Sequence, residues 1–360
     1  MMRGNTVHGG SSYASKAIHA NGSSNESGTN FNPQPTPTGF KLGANRSATN
    51  YNGETYIYMA IRRGPLAAPT DATKVFFVDS GTAANNVLST GFNPDMSIVG
   101  RTTGGSKYVG ARLTGSSAYL FTDSTAAEAS YPGWTWDESN QFKQGMYNAN
   151  NVSWLWKRAP SYFDAVAYKG TGSAMTVNHN LGAVPEMMWV KSRSYSDDWA
   201  VYHSALGNTD NLFLNSTSGT ASRIYWNNTT PTATQFTLGD HSKVSNSGST
   251  YIAYLFATVA GVSKVGSYTG NGGTQTIDCG FSSGARFVLV KPVSATGHWA
   301  VFDTERGIVA GNDPYLLLNG TNAQTEDFDE LDPDSSGFVV NHVAGIANVN
   351  GVSYIFYAIA

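Results

Sequence analysis

The sequence predicts an all-β chain of tandem β-sandwich, jelly-roll-like modules, about four repeats with the first incomplete, and three observations lead there. Landmarks recur at one fixed spacing. Short runs of Val, Ile, Tyr, Phe and Trp alternate with small polar residues between turns such as Asn271-Gly272-Gly273 and Ser247-Gly248-Ser249. No long stretch carries the 3.6-residue apolar period of an amphipathic helix, and Ala-containing pieces such as Ala83 to Leu88 are bounded by Gly or turn residues.

The repeat is clearest in the second half of the chain. Tyr168-Lys169-Gly170, Met187 to Lys191 and Trp199-Ala200-Val201 recur as Tyr268-Thr269-Gly270, Phe287 to Lys291 and Trp299-Ala300-Val301, each displaced by 100 residues. Three separated landmarks in one register define a repeating unit. Its ending is shared as well: Phe236-Thr237-Leu238 and Tyr251-Ile252-Ala253-Tyr254 match Phe338-Val339-Val340 and Tyr354-Ile355-Phe356-Tyr357. Near the start, Phe40-Lys41-Leu42 and Tyr56-Ile57-Tyr58-Met59 repeat that ending, while Met96 to Val99, Lys107-Tyr108-Val109 and Val152 to Trp156 form a diverged copy between.

The expected modules are 1–63, incomplete; 64–160, diverged; 164–258; and 265–360. A module of about a hundred residues suits two packed sheets, whereas a β-helix would repeat every 20 to 30 residues or so. Met2-Arg3-Gly4 aligns with Glu305-Arg306-Gly307, so the earlier strands of the first module are expected from a longer chain or from a partner subunit.

Composition narrows the function classes. Charged residues are 13% of the chain, the net charge is −3, and no Lys/Arg run is longer than a pair, so nucleic acid is not an expected partner. The single Cys279 excludes an intramolecular disulfide and a Cys-based zinc site, and is read as a buried, inert thiol. The N-terminus lacks the apolar segment of a signal peptide, and the longest apolar stretch, Tyr251 to Val262, is too short to cross a bilayer. A soluble chain without cofactor or membrane insertion is expected.

Candidate chemistry is sparse. His203 and His298 flank the Trp-Ala-Val strand with Asp303 and Glu305 nearby, but one histidine follows its Trp and the other precedes it, which favours structural roles over an acid/base pair. Asp303 and Arg306 read as a local ion pair, and Arg3 as its counterpart in the first module. The acidic stretch Glu326 to Asp334 lacks the glycine and terminal glutamate spacing of an EF-hand, and reads as a solvated loop without metal. No nucleophile-elbow, HExxH or phosphate-loop motif is present, so no catalytic residue is assigned.

Aromatic residues sort by the repeat itself. Those at shared positions are assigned to packing: Trp199, Trp299 and Tyr108 at one, Tyr56, Tyr251 and Tyr354 at another, and Phe31, Trp226 and Phe328 in the loops. Outside the shared pattern stand Tyr131, Trp134 and Trp136 in the second module and Tyr195 and Tyr225 in the third. Trp136 also reads as the second module's loop aromatic. Tyr131, Trp134, Tyr195 and Tyr225 are the expected glycan contacts, since an exposed ring flanked by Asn and Asp offers an apolar face and hydrogen bonds.

The runs Pro185 to Lys191, Asp197 to His203 and Phe302 to Gly307, with the closing Gly-Phe and Tyr-Ile-x-Tyr pattern, resemble a repeated domain of unknown function found in tail-fibre and other virion proteins of tailed bacteriophages. The resemblance covers residues 163–360 well, the first module by its ending and the second loosely. It implies a virion structural protein of a tail fibre or tail-tip appendage involved in host attachment, and it carries over no catalytic residue. Other virion proteins, a host-surface glycan and a trimeric homo-oligomer are the partners it implies, in a virion assembled in the host cytoplasm. Alternatives are a head-decoration protein, a surface adhesin, or the scaffold of a polysaccharide depolymerase.

Overall fold

The computed structural model describes residues 51–59, 67–81, 87–131, 133–136, 142–143, 150–341 and 345–360, with the backbone of four short strands before them. Those four pair as Ser15–Ala17 with Ser27–Phe31 and Pro33–Thr36 with Gly39–Leu42. Apart from 51–59, the remainder of the first module, including Arg3 and the side chain of Phe31, lies outside the described residues.

The chain is all-β, with several separate antiparallel sheets arranged as multiple sandwiches and one short helix, Ser242–Ser245, among the described residues. In the third module the large sheet runs Phe163–Lys169, Thr250–Phe256, Met187–Ser192, Ala200–His203, Asp210–Phe213 and Ala221–Ser222. Met175–Asn178 and Gln235–Leu238 form a smaller sheet. The fourth module repeats this order with Ser263–Thr269, Ser353–Ile359, Phe287–Pro292, Ala300–Asp303 and Tyr315–Leu317, covered by Gln275–Asp278, Gly337–Val340 and Leu331–Asp334. The second does so with Phe76–Asp79, Asn151–Trp156, Met96–Arg101, Tyr108–Ala111, Ala118–Phe121 and Ala129–Ser130, beside a small sheet of Val87–Leu88 and Phe142–Lys143. Three stretches of sequence thus build one topology.

Period-2 alternation gives each large sheet two apolar faces. In the third module Tyr251, Ala253 and Leu255 face Phe236, Leu238 and Trp226 inside the module's own sandwich. Ile252, Tyr254 and Phe256 face the other way and join a cluster with Trp154 and Trp156 of the second module and Tyr357 and Ile359 of the fourth. Phe287 stands near the middle of that cluster, with ring centroids 5.5 Å from Trp156 and 6.2 Å from Tyr357. A fully buried strand therefore carries no polar face: both sides of Met187–Ser192 and Phe287–Pro292 are buried.

The modules close into a ring, where the sequence suggested a series. The main-chain N–H of Glu128 donates to Arg193 O at 3.0 Å, Thr220 to Val293 O at 3.0 Å, and Gln324 to Thr102 O at 2.8 Å. A second set repeats the pattern: Asp197 donates to Thr125 O at 2.8 Å, Gly297 to Thr217 O at 2.8 Å, and Gly105 to Thr321 O at 2.7 Å. Each set links second to third, third to fourth and fourth to second module through equivalent residues, which is pseudo-threefold symmetry within one chain.

Strand register corrects two packing assignments. Met96, Met187 and Phe287 pair with Ala111, His203 and Asp303, so the second-module equivalent of Trp199 and Trp299 is Lys107 and not Tyr108. Tyr56 is not a core residue: residues 51–59 lie outside any strand, and Ile57, Tyr58 and Met59 are exposed. The acidic stretch is also less loop-like than expected. Leu331–Asp334 pairs with Gly337–Val340, Glu330 is buried, and Asn341 donates to the carboxylates of Asp329 and Asp332 at 3.0 and 2.8 Å.

Candidate functional site

One end of the ring carries a repeated set of inter-module contacts: the loop after each third strand of a large sheet, 102–105, 193–197 or 293–297, meets a loop of the preceding module. At the second–third seam the side chains are charged and aromatic. Arg193 grips Glu128 through Nε and Nη2, at 2.6 and 2.8 Å, a fork-to-carboxylate geometry that raises the guanidinium pKa further. Lys243 bridges Asp197 and, at 2.8 Å, Asp198, while Asn215 Nδ2 donates to Asp198 at 2.8 Å.

Beneath this rim Lys191 is fully buried, and burial pushes its ammonium down to about 8, opposed by the charges of Asp197 and Asp198. It donates to Ser192 O at 2.9 Å. Lys291, its equivalent in the fourth module, donates to Pro292 O at 2.9 Å, Gly297 O at 3.0 Å and Thr217 O of the third module at 3.3 Å. Lys291 thus holds carbonyl groups of the seam loops, while Lys191 holds the carbonyl at the end of its own strand. Enclosed as they are, they offer no nucleophile to a ligand in solution.

Of the four predicted aromatic contacts, Tyr195 lies at this rim. Its hydroxyl meets that of Tyr251 at 2.7 Å and donates to Ser242 O, leaving the ring half-buried. Tyr131 lies elsewhere, next to the outermost strand of the second module's large sheet, and is 49% exposed. Trp134 and Tyr225 require correction, each being about 1% exposed. Trp134 stacks on Trp136 at 5.7 Å and packs over Gly110, where any Cβ would crowd the indole. Tyr225 packs against His241 at 4.8 Å. Both fill sandwich interiors, because a module-specific aromatic serves a module-specific core as readily as a surface.

Other titratable groups are committed to packing. His203 is buried in the strand end, its Nδ1 accepting from Ala205 N at 3.2 Å, and burial pushes its pKa down to about 4. Asp303, at the same register position in the fourth module, accepts from Arg306 Nε at 2.7 Å and from Trp154 Nε1 of the second module at 2.9 Å. Its local pairing with Arg306 matches the sequence reading, while its reach across a seam was not legible. Burial pushes the Cys279 thiol up to about 12, which keeps it protonated.

The buried seam lysines were missed in the sequence. A signal existed: Lys191 and Lys291 each end an otherwise apolar run at the same repeat position. The arrangement as a whole can clamp modules together and present hydroxyl, carboxylate and amide groups at a rigid rim. A family model described as a domain of unknown function (DUF7483) matches residues 69–360. No curated protein matches the chain.

Proposed function

The chain belongs to the DUF7483 family across all three ring modules, and from that premise we propose that it is a structural component of a bacteriophage virion, in a tail fibre or tail-tip appendage that attaches to the host surface. The observation that supports this best is the closed ring. Three sandwiches spend their seam groups and their inner apolar faces on one another, which favours a rigid spacer that holds loops in place over a hinged or cleft-forming catalyst. The sequence resemblance supplies the virion context.

On this reading the ring binds without chemistry, and the surface aromatics Tyr131 and Tyr195 are the proposed glycan contacts. Stacking contributes about 0.5 to 1.5 kcal/mol beyond area burial in aromatic pairs, a scale carried over to sugars, so losing one ring weakens a single site only several-fold. The test has two arms. Antibody raised against the chain should decorate the tail of intact particles, and decoration of the head would move the protein to a capsid role. Host capsule or lipopolysaccharide incubated with the chain should keep its size distribution, since shortened glycan would make the protein a depolymerase.

A further inference from the structure

We infer that the seam between the second and fourth modules is a latch, the place where the ring opens to uncover its central aromatic core. Continuity of the chain is the first observation. The second and third modules are joined through residues 157–162 and the third and fourth through 257–262, whereas no backbone connects the fourth module to the second. A short linker keeps its two modules at high effective concentration even when their contacts break. The remaining seam closes by non-covalent contacts alone.

Its chemistry differs accordingly. At the two linked seams Trp199 and Trp299 insert an indole whose Nε1 donates to Phe121 O at 2.7 Å and to Phe213 O at 2.9 Å. At the unlinked seam the equivalent residue is Lys107, whose ammonium donates to Gly320 O and Asn322 O of the fourth module and to Gly105 O of its own. Thr122 Oγ1 adds a bond to Leu318 O at 2.6 Å. A large apolar wedge has been exchanged for polar groups that water can satisfy once the contact opens.

The third observation is a clasp found at this seam. Trp154 of the second module donates to Asp303, and the Arg306 guanidinium, paired with the same carboxylate, lies 5.4 Å from the Trp154 ring. Asp303 and Arg306 are both almost completely buried. The ion pair itself lies within the fourth module and survives opening, so what opening removes is the Trp154 indole donor and ring, whose place on the buried carboxylate water must take. Opening the clasp would bare Trp154, Trp156, Phe287 and Tyr357 to solvent.

Residue-resolved amide hydrogen exchange on the full chain tests the latch. Gly105 and Gln324 donate across the unlinked seam; Asp197 and Glu128, and Gly297 and Thr220, are their equivalents at the linked ones. After correction for intrinsic rates, the first pair should exchange about tenfold faster or more than the other two pairs. Equal or slower exchange there overturns the inference, with no variant needed. Asp303→Asn should accelerate Gly105 and Gln324 selectively; equal acceleration at all three seams, or none, counts against the clasp.

Discussion

At the scale of single residues, burial decides what each polar side chain contributes. Burial holds the folded pKa of His203 at about 4, below the ordinary imidazole value of about 6.5 that it has in the unfolded chain. Between those values the unfolded chain binds more protons, so stability is lost as pH falls from 6.5 to 4, by about 3 kcal/mol in total. Asp313, pushed up to about 6 by burial, acts in the opposite sense over an overlapping range. Urea unfolding of the parent and of His203→Asn at pH 7 and pH 4.5 separates the two: Asp313 cancels in the difference, and the variant should lose less stability on acidification. Equal losses in both proteins would remove His203 from the account.

Trp199 shows the same logic for an indole. Trp199→Phe removes the donor to Phe121 O and should cost about 1 to 3 kcal/mol, while Trp199→Ala adds a cavity and should cost about 3 to 5 kcal/mol. Chemical denaturation midpoints at constant m-value give both numbers. Trp134→Ala should cost a similar 3 to 5 kcal/mol or so, because it too is a core residue.

Among elements, the glycines after the first strand of each large sheet set how closely the neighbouring loop approaches. A Cβ on Gly170 would lie 2.3 Å from Asn246 O, and one on Gly270 2.3 Å from Val349 O, both backbone atoms that cannot swing aside. Gly170→Ala and Gly270→Ala should therefore each destabilise by about 1 to 3 kcal/mol through overpacking. Gly182 is the comparison, with open space around it but a φ of +73°. Gly182→Ala should cost about 1 kcal/mol, from the left-handed backbone alone. Thermal denaturation of the three variants ranks them, and a Gly182 variant as damaging as the other two would contradict the close-approach argument.

For the whole molecule, the consequence of the ring is shared stability. One apolar cluster runs from Phe76 through Trp154 and Phe256 to Ile359, so no module keeps its inner face dry without the other two. Residues 67–360 should unfold in one calorimetric transition whose van't Hoff and calorimetric enthalpies agree. Trp199→Ala, placed in the third module, should lower that single transition as a unit. Separate transitions for each module would mean that the sandwiches are stable alone and that the seams add little.

Strand content, the 100-residue repeat and the core aromatics shared between the third and fourth modules, such as Trp199 with Trp299 and Tyr251 with Tyr354, were determined by the sequence alone, because alternation and turn residues act over a few neighbours and leave a periodic trace. The Asp303–Arg306 pair was legible for the same reason, its members being three residues apart. What only the tertiary structure decided is the ring. Two sheet faces that are both apolar look alike in a sequence, and nothing local says which one meets the module's own small sheet and which meets another module. Trp134 and Tyr225 were misplaced on the same ground: a repeat distinguishes shared from unshared residues, whereas exposure depends on what packs above a side chain from far along the chain. Lys107 makes the point at one position, since its two acceptors in the fourth module lie more than two hundred residues away and are brought near only when the ring closes.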